Sequence, residues 1–191
     1  MRRILRALFG ALIKLTSVTR HIAGADISDG KPRIYIANST DTRGELATFY
    51  ALEREKTCLL VSSQEYSSKR ALRTVSRKHI IAAQDGISTE WLHAALRRIK
   101  GGESILLFPD NQNGGVGAAF ILLSLLSGAD IVPLYSRACY GPFCTVRVTA
   151  GAPLRPDPEA VLTAQQVRCE NERARVSLSA LAGAVCTGGT P

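Results

Sequence analysis

Two carboxylates stand where short apolar runs meet polar loops. Glu45 follows the run Ile34-Tyr35-Ile36-Ala37 and the polar stretch Asn38 to Gly44, and Asp110 directly follows Ser104-Ile105-Leu106-Leu107-Phe108-Pro109. A carboxylate in such a place does general acid–base work, orients an imidazole, or caps the next helix. Ser39 and Thr40 add hydroxyls beside Glu45, and Asn38 adds an amide. Asn111, Gln112, Asn113 and Gly114 follow Asp110 as a polar tract that either orients a polar substrate or simply turns the chain. His21, His79 and His93 are the three histidines, and none is near either carboxylate in sequence. His79 is the one considered as a relocated base, against the plainer reading of a packed or surface residue. Gly114-Gly115-Val116-Gly117 sits between a strand and a helix, as phosphate-binding loops do. Phe120 replaces the last glycine of that pattern and no Gly-Lys-Ser/Thr follows, which argues against a nucleotide site. No Gly-x-Ser-x-Gly is present, so an esterase is not indicated.

The elements that must hold these residues alternate along the chain. Strands are expected at 33–37, 57–61, 79–83, 104–108, 131–135 and 143–149, from short β-branched or apolar runs bounded by turns. Helices are expected at 45–52, 64–78, 89–100 and 118–127, with a last one from Pro158 onward. Ser88 stands where a cap is needed, and Gly101-Gly102 and Gly128 stand where helices should stop. Strands alternating with helices predict one α/β domain with a mostly parallel sheet covered on both faces. That domain is expected over 25–186, with a loose tail at 187–191.

Composition narrows the class of partner. The chain has 191 residues, 46% hydrophobic and 21% charged, with a net charge of +8. It is long enough for one sizeable core, and its charge favours anionic surfaces. Five cysteines in no metal-ligand spacing support neither a disulfide framework nor a zinc site, so no metal is expected. Residues 1–24 combine Ile4, Leu5, Leu8, Phe9, Leu12, Ile13 and Leu15 at helical spacing with Arg2, Arg3, Arg6 and Lys14. The apolar run is far below the ~20 residues of a membrane span. Lys14, Arg20 and His21 weaken a secretory-signal reading, and a helix packed on the core is the plainer alternative. An amphipathic helix lying on an anionic membrane surface is favoured. Lys69, Arg70, Arg73, Arg77 and Lys78 are expected on the helix at 64–78, as a solvated face or as a contact for phospholipid head groups or an acidic carrier protein. Interleaved aromatics and a recognised nucleic-acid module are both missing, so no nucleic-acid partner is expected.

Gly102 to Tyr135 resembles the core of the lysophospholipid/glycerolipid acyltransferase superfamily. Phe108-Pro109-Asp110 is similar to its Phe-Pro-Glu-Gly strand end, and Gly128-Ala129-Asp130-Ile131-Val132-Pro133-Leu134 to its Gly-x-x-Ile-Val-Pro-Val strand. Ile36-Ala37-Asn38 resembles the strand end that precedes the family's histidine, and the likeness covers roughly residues 30–155. The resemblance implies transfer of an acyl group from a coenzyme A or acyl-carrier-protein thioester to a lysophospholipid-like or other hydroxyl or amine acceptor. It implies no bound cofactor, and a location on the cytoplasmic face of a bacterial inner membrane. In one register Ser39 takes the place of the family's histidine and Gly44 that of its carboxylate. In the other, Thr40 and Glu45 do, as in the late acyltransferases of lipid A synthesis. Either way the histidine is missing, and the third strand's arginine is replaced by Ala83. The resemblance thus implies Glu45, Asp110, Ser39 and Thr40 as the catalytic set. Asn38, Arg43, Asn111, Gln112, Asn113 and Gly114 would contact substrate. A hydroxyl has no basic form near neutral pH, so a catalytically inactive relative that binds lipid, acyl carrier protein or a partner enzyme is the alternative.

Overall fold

The computed structural model describes residues 17–24, 30–38, 42–52, 56–69, 72–73, 75–83, 89–109, 119–139, 144–156 and 163–187. Its strands are β1 (Ser17–Gly24), β2 (Ile34–Ala37), β3 (Thr57–Ser62), β4 (Ile80–Ala83), β5 (Ser104–Leu107), β6 (Ile131–Cys139) and β7 (Cys144–Ala150). Its helices are α1 (Thr42–Ala51), α2 (Ser63–Ser68), α3 (Thr89–Lys100), α4 (Ala119–Ser127) and α5 (Ala164–Thr187). The strands form one sheet in the order β1-β7-β6-β2-β5-β3-β4. The β6–β7 pair is antiparallel and every other pair is parallel. This is the mostly parallel α/β sheet expected from the alternating elements.

Pleating explains the two cores. Tyr35, Ala37, Leu59, Val61, Leu106, Val132 and Leu134 face Leu46, Ala47 and Phe49 of α1 and Leu52 just after it. The alternate residues Ile34, Ile36, Cys58, Leu60, Ile105, Leu107 and Ile131 face α3 and α4, with Ala174 of α5. Strands buried on both faces read as unbroken apolar runs, which is why β2, β3, β5 and β6 were legible. Gly102 and Gly128 end α3 and α4 with φ of 80° and 70°. Glycine adopts that left-handed turn without steric cost, as the helix ends demand.

Four elements differ from expectation. Ser17–Gly24, expected as the end of an N-terminal helix, is a strand parallel to β7, with Ser17 opposite Cys144 and Gly24 opposite Ala150. Pairing with an edge more than a hundred residues away outweighs local helical spacing; the rest of the expected helix, 1–16, lies outside the described residues. The basic helix expected over 64–78 shrinks to the six residues of α2. Arg77–His79 form a 3-10 turn, so β4 begins at Ile80 rather than at His79. The last helix begins at Ala164 rather than near Pro158 and runs through Thr187, where the tail was expected to begin. Among the described residues no helix is long and apolar enough to cross a membrane.

Candidate functional site

The carboxyl ends of β2, β3, β4 and β5 form one edge of the sheet, the edge where open α/β folds place ligands. Asn38 closes β2 there. Its Oδ1 accepts from the backbone N–H of Ser136 at 2.6 Å and from the Ser136 hydroxyl at 3.3 Å, and its Nδ2 donates to the Ser136 carbonyl at 3.0 Å. The amide thereby continues the β2–β6 ladder one step past the end of β2. Asn38 shapes the edge, with both ends of its side chain engaged by β6.

Glu45 lies in the first turn of α1, where a negative charge complements the helix dipole. It is 2% exposed. Lys69 grips both of its oxygens, at 3.1 and 2.9 Å, and donates to Glu65 Oε1 at 3.3 Å. Glu65 in turn belongs to a capping box with Ser62, whose hydroxyl accepts from the Glu65 N–H at 3.1 Å. The end of β3, α2 and the first turn of α1 are thus fastened together by one ammonium. Burial works against the Lys69 charge. The hydrogen bond to Glu45, with the Coulomb pull of Glu45 and Glu65, outweighs it and raises the Lys69 pKa. Lys69 is therefore a fixed cation at neutral pH and cannot act as a base.

Glu45 and Asn38 are brought to the same edge. Ala83, where the resemblance led one to expect an arginine, ends β4 beside Ser62 and is 2% exposed. Phe108 and Pro109 follow β5 at this edge. Ser39, Thr40, Asp110, Asn111, Gln112, Asn113 and Gly114 lie outside the described residues. Arg43 is in the first turn of α1, and its side chain also lies outside what is described. Sequence reasoning missed Lys69, Glu65 and Ser136. The i,i+4 pair Glu65–Lys69 and the Ser-x-x-Glu capping box were visible signals; Ser136, 98 residues from Asn38, had none.

His79 is not at this edge. It precedes β4, at the opposite end of the sheet, with its ring 6.4 Å from that of Phe49. His93 is exposed on α3, and His21 lies on β1 at the far side of the sheet. Among the described residues no three His, Cys, Asp or Glu side chains are grouped to hold a metal ion.

The opposite end carries a second polar cluster. The buried Cys58 thiol donates to Glu103 Oε2 at 2.8 Å, and Arg98 binds both Glu103 oxygens at 3.0 and 3.1 Å. Burial, then the hydrogen bond and charge of Glu103, push the thiol pKa up to about 12. Burial disfavours the Glu103 charge, but hydrogen bonds from Cys58 and Arg98 prevail and lower its pKa. A thiol so held is inert as a nucleophile.

No protein-family model and no curated protein matches the chain. Among solved structures it is similar to the 1-acyl-sn-glycerophosphate (LPA) acyltransferase PlsC from Thermotoga maritima. The TM-score is 0.57 at 11% identity, over 99% of this chain and 81% of that one. At that identity the likeness establishes the fold.

Proposed function

We propose that this protein is a divergent acyltransferase that works at a membrane surface. It moves an acyl group from a coenzyme A or acyl-carrier-protein thioester to a lysophospholipid-like or other hydroxyl or amine acceptor. The observation that carries the reading is a fold shared with an LPA acyltransferase over 99% of the chain. Glu45 and Asn38 stand at the edge where that fold places its ligands. In the reaction the thioester C–S bond breaks, a C–O or C–N bond forms, and the acceptor's proton ends on the departing thiolate. The Lys69 ammonium holds both oxygens of the buried Glu45 in place, and Ser39, Thr40 and Asp110 complete the proposed site. Without an imidazole the rate falls by about 10²–10⁴-fold, the usual contribution of a general base.

Strand topology supports the membrane side of the reading. β1 begins opposite Cys144, and Thr145 pairs with Cys139 at the carboxyl end of β6. Ser17, which follows Arg2, Arg3, Arg6 and Lys14 in sequence, therefore stands at the end of the sheet that carries Asn38 and Glu45. Under this proposal that edge faces the cytoplasmic leaflet of a bacterial inner membrane.

One observation favours a second reading, a non-catalytic relative that binds acyl or lipid ligands. Both Glu45 oxygens are already held by Lys69, which leaves the carboxylate poorly placed to orient a base. The deciding experiment offers labelled acyl-coenzyme A and acyl carrier protein, with lysophospholipids and lipid A precursors, in detergent or liposomes. Glu45→Gln and Asp110→Ala serve as controls. Turnover that both variants lose supports the enzyme; lipid binding with no turnover overturns it in favour of the binding relative.

A further inference from the structure

Two segments distant in sequence meet at one corner of the sheet. Arg77 and Lys78 lie in the 3-10 turn that leads into β4, and Arg97, Arg98 and Lys100 in the last turn of α3, which leads into β5. Arg98 ties them together: Nη1 holds Glu103, and Nη2 donates to the Lys78 carbonyl at 2.9 Å. Arg77, Lys78, Arg97 and Lys100 are exposed around that tie. Cations in a last helical turn complement the helix dipole, which accounts for those on α3. It does not account for Arg77 and Lys78, which are exposed on another element that Arg98 ties to this corner. The basic run 69–78 is thereby divided: Lys69 serves Glu45, and Arg77 and Lys78 join α3.

We infer that this corner is the docking surface for an acidic acyl carrier protein that brings the acyl thioester; the inference rests on the acyl-transfer reading above. Exposed guanidinium and ammonium groups on a rigid scaffold attract carboxylates, as Arg98 Nη1 already does with Glu103 within the chain. A bilayer fits less well, because Ser17, which follows the basic, apolar segment 1–16 in sequence, lies at the other end of the sheet. The exposed large apolar side chains among the described residues, Leu126 and Val176, lie on α4 and α5 rather than here. A nucleic acid fits less well because, among the described residues, the corner offers no exposed aromatic on which bases stack. β4 is the edge strand, its Ala82 is exposed, and its four residues span on the order of 10 Å from the corner to Ala83; β3 and β5 lie between it and β2, which puts the end that carries Asn38 on the order of 14 Å farther across the sheet. A flexible thioester arm has both distances to cover.

Binding of purified palmitoyl-acyl carrier protein to the full chain is measured by calorimetry at low and high salt. Arg97→Glu/Lys100→Glu is compared with Arg168→Glu/Arg175→Glu, which makes the same charge change on the exposed face of α5. Circular dichroism checks that each is folded, and Arg97→Gln/Lys100→Gln repeats the test without charge reversal. The expected result is salt-sensitive binding weakened about tenfold or more by the α3 pair and little by the α5 pair. Equal weakening by both pairs, no binding by the wild-type chain, or selective capture of phosphatidylglycerol vesicles or duplex DNA through the α3 pair overturns the inference. If the carrier binds through this corner yet neither donor supports turnover, the docking surface stands and the acyltransferase reading falls. If acyl carrier protein supports turnover and the α3 pair changes nothing, the reverse holds.

Discussion

At the residue scale, the carboxylate picked out in the sequence proved to be half of an ion pair. Glu45 has a side chain 3% exposed and Lys69 one 23% exposed. Removing Lys69 leaves a buried charge without its main partner, which costs about 3–5 kcal/mol when both groups are fully buried. Partial exposure of Lys69 reduces that, so Lys69→Met is expected to lose about 2–3 kcal/mol in urea unfolding. Lys69→Met/Glu45→Gln should recover part of the loss, because it removes the stranded charge. At the other end of the sheet, Cys58 is held as a thiol. Its folded pKa of about 12 lies above the ordinary 9.0, so the folded state binds the extra proton between those values. That contribution is complete below pH 9 and is lost as pH rises toward 12. Stability should therefore fall over this range, and less steeply in Cys58→Ala. Iodoacetamide at pH 8 should label the exposed Cys169 and spare Cys58, as peptide mass spectrometry would show. Glu45 was legible because a carboxylate after a strand end is a recognisable pattern. Its partner was not, because Lys69 read as one cation in a basic run.

At the element scale, the strands buried on both faces were legible and the edges were not. Ile34-Tyr35-Ile36-Ala37 and Ser104-Ile105-Leu106-Leu107 carry their burial in their composition, whereas Ser17–Gly24 is a strand only because β7 receives it. Its β-branched Val18, Thr19 and Ile22 were the one local hint, masked by the amphipathic spacing before them. The basic run after β3 misled in the opposite direction. The capping box at Ser62 starts a helix there, but Lys69 is drawn to Glu45 and the helix stops after six residues. Gly151 tests how α5 is seated. A Cβ there would lie 2.9 Å from the Pro133 ring and 3.0 Å from Leu181 Cδ1. Gly151→Ala is expected to cost about 1–3 kcal/mol by overpacking. Adding Leu181→Ala should remove the clash with α5 but not the one with Pro133. The double variant should therefore be more stable than the two single losses added together, which thermal or urea melts on all four proteins would show.

At the scale of the whole molecule, the sheet separates two tasks. One end carries Asn38, Glu45 and the start of β1; the other carries Cys58, Glu103 and the basic corner of α3. β6 and β7 turn the chain back, so β1 enters from the carboxyl ends of the central strands, and whatever residues 1–16 attach to is brought to that end. The net charge of +8 alone gives no direction; the direction comes from which strand end each cation follows. An anionic surface reached through residues 1–16 should meet the Glu45 end and leave the α3 corner in water. Arg137, exposed on the late part of β6, and Lys100, exposed at the end of α3, report on the two ends. With the reactive native cysteines replaced by serine, a fluorophore at Arg137→Cys should be quenched by spin-labelled lipid in phosphatidylglycerol vesicles, and one at Lys100→Cys should not. Quenching at Lys100 instead would put the basic corner on the lipid. A soluble carrier could not then dock there while the protein is bound, and the membrane and carrier contacts would exclude one another.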